Sequence, residues 1–388
     1  MREKLFNQLE ALFDRLVCIR RDFHMYPELS FHEVETPKKI ATFLRECGLE
    51  VEENVGGRGV IAEIKGKNPG KTIAFRADFD ALPIQDEKEL PYSSRVPGIM
   101  HACGHDIHAT SLLGVASVLS QNKECISGII RFIFQFAEEQ PPGGAKFMIE
   151  DGCLKGVDMI YGAHVASILP TGMIGVASGP VNASADNFEI EIIGQGGHGA
   201  FPHSSIDPIV LGASLVMQLQ QIVSRQIDPL QSAVLTIGTF HSGTTNNVIP
   251  EKAIITGTVR TLDENTRGFI EQRIEQITNS IVGGVGATAK IKYEKGYPVL
   301  NNTIEETTIV ENTAKEVFGH SHVLNIPPLM GGEDFAQYLQ HVPGCFFYVG
   351  GSFSESEKNY PHHHPKFDVD ERSMIHIGKM FLSLVLNG

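Results

Sequence analysis

Basic charge is what this chain is short of: 32 Lys and Arg stand against 46 Asp and Glu in 388 residues, a formal net charge of -14. That balance repels a phosphate backbone, and no basic cluster is segregated to offset it, so nucleic acid is excluded as a partner. Long apolar runs are missing too. The most apolar stretches, residues 129–137 and 381–386, fall far short of the roughly 20 residues that cross a bilayer, and the first contains Arg131. The N-terminus carries charges throughout and has neither an apolar core nor a small-residue cleavage site, so the expectation is a soluble, cytoplasmic protein with no membrane partner. Cysteine is sparse: the six, at 18, 47, 103, 125, 153 and 345, lack the dense spacing of a disulfide scaffold and read as reduced thiols.

What is present is 42% hydrophobic residues and 20% charged, the composition of a protein that buries a large core. Single cores stop growing at ~250–300 residues, so two domains, or one with an insertion, are expected. Up to about residue 180 the pattern alternates helices and apolar strands: helices near 5–20, 33–47 (stopped by Gly48) and 106–120, strands at 60–64, 72–75, 129–136 and 159–161. Continuous apolar strands imply a sheet covered on both faces. From 182 to 295 the order becomes strand 188–192, helix 207–225, strands 233–240 and 254–260, helix 264–282, strand 288–293, which is the β-α-β-β-α-β order of a ferredoxin-like unit. The expected architecture is therefore α/β: a mixed-sheet catalytic domain over 1–181 and 296–388, with an inserted ferredoxin-like α+β domain over 182–295.

The strongest local signal is His101-Ala-Cys-Gly-His-Asp-Ile-His108, a thiol and several imidazoles at a helix start. These are ligands that divalent transition metals prefer, although two polar residues at a helix start can equally be caps. Asp78 and Asp80, Glu138 and Glu139, and His164 each follow a buried-looking strand, the place where open α/β sheets put their ligands. Taken singly, the glutamates could be a solvated loop, His164 a core histidine, and the tract His362-His-His364 an exposed loop.

Together, Arg76-Ala-Asp-Phe-Asp-Ala-Leu-Pro83, His101-Ala-Cys-Gly-His-Asp106, Ala137-Glu-Glu139, Gly196-Gly-His-Gly-Ala200, Asn247-Val-Ile-Pro250, Gly332-Glu-Asp-Phe335 and His363-His-Pro365 form an ordered set. The set resembles the metal-dependent amidohydrolases of the aminoacylase/carboxypeptidase superfamily, in the branch of hippurate hydrolases, indole-acetyl-amino-acid hydrolases and N-acetyl-amino-acid deacetylases. The resemblance spans nearly the whole chain, starting at Arg20-Arg-Asp-Phe-His-Met-Tyr-Pro-Glu28.

It implies two divalent metal ions per subunit held by Cys103, His105, Glu139, His164 and His363, with the Cys103 thiolate as bridge. It makes Glu138 the general base, His198 the oxyanion stabiliser, and Asn247 and Arg260 the grip on the substrate. The adjacent glutamates leave open the exchange of roles between Glu138 and Glu139, and the histidine tract leaves its register open. His198 could be a turn residue and Arg260 a surface ion-pair residue. Asp78 and Asp80 are expected behind the ligands, orienting His105 or its neighbours. Asp78 stands where the peptidase branches have a metal-binding histidine, and Cys103 where they have a bridging carboxylate. Metal identity stays open among manganese, zinc, cobalt and nickel.

The implied reaction is cleavage of an N-acyl-L-amino acid, a small-molecule substrate, to a carboxylate and an amino acid, by a homodimer or higher homo-oligomer joined through the inserted domain. Other readings are a dipeptidase or carboxypeptidase of the same superfamily, a thiol hydrolase using Cys103 with His105 as base, and a metal-loaded protein without turnover. Glu333-Asp334 is expected to favour the positive end of a following helix.

Overall fold

The computed structural model describes residues 1–355 and 358–387. Its contacts divide the chain into two compact units, Met1–Gly179 with Asn301–Pro327 and Asp334–Gly388, and Pro180–Leu300 with Pro328–Glu333. The short return stretch belongs to the second unit because Ala183 N donates to Leu329 O and Gly331 O, and Leu329 N to Val181 O.

The larger unit is built on an eight-stranded mixed sheet whose spatial order is Glu50–Val55, Gly59–Lys65, Ser127–Gln135, Asn68–Asp78, Met159–Pro170, Gly344–Ser352, Ile174–Val176, Val323–Asn325. Four adjacent central strands, from Ser127–Gln135 to Gly344–Ser352, run parallel. Side chains alternate between sheet faces, yet residues 72–78 are buried without a break, so both faces are covered, as the apolar runs require. The helix His105–Ser120 is buried all round, apart from its last residue, under Phe13–Met25 and the C-terminal helix Ser373–Asn387.

Four local readings are revised. The helix expected at 5–20 is two, Arg2–Ala11 and Phe13–Met25, broken at Leu12; Leu9 of the first packs against both Ser373–Asn387 and His105–Ser120, and Leu16 of the second against His105–Ser120. The helix expected from 33 is Glu35–Glu46, and its first N–H groups are taken by the Glu28 carboxylate, which accepts from Val34, Glu35 and Thr36. Burial pushes the Glu28 carboxyl up, but those three donors hold it below its usual value. The edge strand Glu50–Val55 escaped notice because its outward positions are Glu50, Glu52 and Asn54, polar residues that an edge tolerates. The strand expected at 159–161 runs on to Pro170, which sets His164 inside it.

In the smaller unit the sheet order is Ala233–Ser242, Lys252–Thr261, Ala185–Ile193, Thr288–Tyr297, all antiparallel: the two helix-linked strands flank the first, as in a ferredoxin-like unit. Phe188, Ile190 and Ile192 face the helices Pro208–Gln221 and Glu264–Gly283, and with Leu215, Leu219, Ile270 and Ile274 they form a core of its own. Asp207 and Asp263 cap these helices, accepting from Ile209 N and Thr266 N. Among the described residues no helix is long and apolar enough to cross a membrane.

Candidate metal centre

Parallel pairing aligns the strand ends, and the chemistry-bearing residues leave those ends side by side. Asn68–Asp78 delivers Asp78 and Asp80; its neighbour Ser127–Gln135 delivers Glu138 and Glu139 through a tight elbow in which Ala137 has φ +51°. Opposite them the helix His105–Ser120 begins after Gly104, at φ +93°, where a Cβ would stand 2.4 Å from Val165 Cγ1, so only glycine fits. His164 comes from the interior of Met159–Pro170, at a level where that strand has already parted from Asn68–Asp78 and is paired with Gly344–Ser352.

Of the five groups of donor atoms that lie within 4.8 Å of one another among the described residues, three overlap on the expected ligands: Cys103, His105 and His164; Cys103, Glu139 and His363; His105, Glu138 and Glu139. Cys103 Sγ lies 3.4 Å from His164 Nε2. Glu139 Oε1 stands 3.2 Å from His363 Nε2 and 3.8 Å from His105 Nε2, hydrogen-bonded to neither, and His105 Nε2 is buried with no hydrogen-bond partner. In the histidine tract, His363 is fixed at φ +64° by its N–H on Ala102 O. His362 is half-buried; its Nε2 accepts from Ser167 N, and its Nδ1 is 3.7 Å from Cys103 Sγ. His364 turns away, accepting from Lys366 N and stacking on Tyr360.

Behind these side chains lies a second layer. Asp80 Oδ1 is 3.0 Å from His105 Nδ1, and Asp80 Oδ2 accepts from Glu139 N at 3.0 Å. Asp78 pairs at 2.6 Å with His108 Nδ1, whose Nε2 accepts from Val165 N, the residue after His164. His108 therefore carries its proton on Nδ1 and links Asp78 to the strand bearing His164. Its role was not read from sequence; the available signal was its place three residues after His105 on one helix face. Asp334 stands at the start of the helix Phe335–Leu339, and its side chain makes no capping hydrogen bond there. Its buried carboxylate accepts from Arg76 Nη2 at 2.7 Å, from Gln135 Nε2 and from Ala145 N, because Arg76, itself buried, needs anions on both sides and takes Asp78 at 2.6 Å on the other. Burial lifts the Asp334 carboxyl to about 6 in spite of that arginine.

The electrostatics describe a place that lacks positive charge. Burial, then Glu139, Glu138 and Asp78, push the Cys103 thiol well above its usual range. Burial alone would depress His105, but Asp78 and Asp80 lift it to about 10. His164 is held well below its ordinary value by burial and by His108 and His362. A thiol, imidazoles and carboxylates turned toward one another, with a buried acceptor nitrogen on His105 unused, form a donor set that divalent cations fit.

The smaller unit carries the other candidate residues. His198 and Asn247 meet through the short antiparallel ladder Gly197–His198 with Val248–Ile249, and Gly199 N donates to Asn247 O at 2.8 Å. His198 is exposed; its Nδ1 accepts from Ala200 N, which leaves the proton on Nε2. Arg260, on Lys252–Thr261, is half-buried and has no ion pair or hydrogen bond among the described residues; burial lowers its pKa, with Asp186 opposing.

Comparison with known proteins decides the family. The model of peptidase family M20/M25/M40 matches residues 74–387. The chain belongs to that family, and it is a hydrolase. It is 42% identical to an N-acetyl-L-cysteine deacetylase of Bacillus subtilis, over 95% of this chain and 86% of that one. It is 44% identical to thermostable carboxypeptidase 1 of Saccharolobus solfataricus, over 95% and 94%. A solved dinuclear metal-binding M20 peptidase from Bacillus subtilis superimposes with a TM-score of 0.85 at 38% identity, covering 97% of this chain and 98% of that one. The M20 fold thus combines a dinuclear metal-binding relative with the donor cluster described above.

Proposed function

We propose that this M20 hydrolase is a two-metal amidohydrolase that cleaves N-acyl-L-amino acids to a carboxylate and a free amino acid. The observation that carries the reading is the convergence of Cys103, His105, Glu139, His164 and His363 with Glu138 beside them. Those five side chains would hold two divalent cations, with manganese, zinc, cobalt and nickel all suited to the mixed donors. When bound, the ions supply a water of lowered pKa and polarise the scissile carbonyl.

Glu138 takes a proton from the attacking water and returns it to the leaving amine. Asp80 orients His105 and the Glu139 backbone, so both ligands are aligned beforehand. His198, with its proton on Nε2, donates to the oxygen that becomes anionic. Arg260 and Asn247 take the substrate carboxylate; an unpartnered, half-buried guanidinium supports this. Cys103 is a poor nucleophile here, because its thiol is pushed up and turned to His164.

The exposed Ile209, Val210 and Met217 on one helix, beside the free edge strand Ala233–Ser242 with Val234 and Phe240, support a homodimer through the smaller unit. Six free cysteines suit a cytoplasmic location. The similarity to a carboxypeptidase favours, as a second reading, cleavage of short peptides.

Chelator-stripped protein is to be offered N-acetyl, N-benzoyl and N-indole-acetyl amino acids, with dipeptides alongside, with and without each of the four metals. Metal-restored release of amino acid from the acylated members is the expected result. Release from the dipeptides alone would replace it with the second reading.

A further inference from the structure

The N-terminal run ending at Glu28 takes no part in the chemistry above, and the segment that continues it precedes the stretch matched by the family model. That segment, residues 28–33, reaches the back of the centre at two points. It runs beside the residues that follow Asn68–Asp78: Leu29 forms a parallel bridge with Ala81, and Ala81 N donates to Glu28 O at 2.9 Å. This register brings Ser30, which is buried, to Asp80, and Ser30 Oγ donates to Asp80 Oδ2 at 2.6 Å. The same oxygen accepts from Glu139 N, while the other oxygen holds His105, so one serine hydroxyl fixes the carboxylate shared by two candidate ligands.

Three residues on, the fully buried Glu33 accepts Ala137 N–H through Oε1 at 2.9 Å. Ala137 sits at φ +51°, a conformation a residue with a Cβ adopts only when its surroundings impose it, and it immediately precedes Glu138. Gly144 N on Ala137 O holds the elbow from its other side, and Phe31 packs edge-on against Phe136 with ring centres 5.8 Å apart. Arg58 Nη1 in turn donates to Glu33 O.

We propose that residues 28–33 are a positioning strap for the centre: Ser30 fixes Asp80, and Glu33 fixes the elbow that carries Glu138 and Glu139. This rests on the two-metal reading above. The strap lets His105 and Glu139 meet a cation without rearrangement and keeps Glu138 in place beside them. Outer partners of this kind set metal affinity as well as rate.

The test titrates cobalt against a competing chelator into stripped wild type, Ser30→Ala, Glu33→Leu and Glu33→Gln, and measures kcat and KM on the N-acyl amino acid that wild type turns over. Ser30→Ala and Glu33→Leu are expected to lose about 10–100-fold in cobalt affinity and about 10-fold in kcat, with KM within about twofold. Glu33→Gln keeps a carbonyl acceptor for Ala137 N–H and is expected within about threefold of wild type in both. Ser30→Ala removes a single hydroxyl, so it decides the matter even where Glu33→Leu does not fold. Wild-type cobalt affinity in Ser30→Ala, or a loss in Glu33→Gln as deep as in Glu33→Leu, overturns the strap. Failure of wild type itself to take up two cobalt ions would instead overturn the two-metal reading.

Discussion

In the larger unit the acids and the arginine behind the candidate ligands are buried and committed to their neighbours, although the candidate ligand His363 is itself exposed; in the smaller one the candidate residues are exposed, or half-buried without a partner. Asp80, Asp78, Arg76 and Asp334 lie at 0–1% exposure and spend their hydrogen bonds on His105, His108, Gln135 and each other. The smaller unit has a comparable buried network, Asp186 with Arg267, Tyr293 and the Gly296 N–H, but it ties sheet to helix and includes none of the candidate residues. His198 and Asn247 are open to solvent, and Arg260 is half-buried with its charge unmatched. A group that must hold a cation in a set geometry has to be oriented in advance, and the buried layer does that from behind for His105 and Glu139 while leaving their cation-facing atoms unbonded. A group that meets a transient substrate gains by having nothing to give up first.

That contrast can be broken by experiment. The largest effect is expected for Glu138→Gln, which should bind metal as wild type does and lose about 1000-fold or more in kcat, read by metal analysis and steady-state kinetics together. Residual turnover near wild type would show that the buried cluster carries no base at this position. In the smaller unit, Arg260→Ala should raise KM about 10–100-fold for substrates with a free carboxylate and leave the corresponding amides nearly unaffected. His198→Ala should lower kcat about 100-fold. Neither change should alter metal content; if either did, the division between preorganised and waiting groups would fail.

The smallest expected effect separates functional from merely structural burial. His376, in the C-terminal helix, has its pKa lowered to about 4 by burial, then by Lys379 and Arg372, and its Nδ1 has no hydrogen-bond partner. The unfolded chain binds this proton near pH 6.5 and the folded chain does not, so stability falls as the pH drops from about 6.5 to about 4. His376→Phe, which keeps the edge-on packing against Phe318, should remove about 2–3 kcal/mol of that acid sensitivity. Chemical denaturation of the metal-free protein at pH 7 and pH 4.5 measures it, and equal slopes in both proteins would refute it.

Much of the site was legible because its residues come in short, unusual runs. Two carboxylates after an apolar strand, or a thiol and imidazoles at a helix start, stand out since burial without a ligand would be costly. The ferredoxin-like order was equally plain, since its first strand alternates and each helix is capped by an aspartate. What escaped depended on partners far along the chain. The sequence assigned His108 no part of its own until Asp78 and Val165 closed on its ring, and nothing local paired Asp334 with Arg76. The edge strand Glu50–Val55 was hidden by its polar outward residues, and Met159–Pro170 by the small and polar residues that follow Tyr161.

By itself, then, the sequence determined which residue types could bind a metal and which elements they end, because periodicity and ligand chemistry are local properties. Only the tertiary structure decided which of those residues meet. Donors drawn from positions 103 to 363 converge because parallel strands align their ends, and His105 and Glu139 are held by Asp80 from another segment, a relation no local pattern encodes.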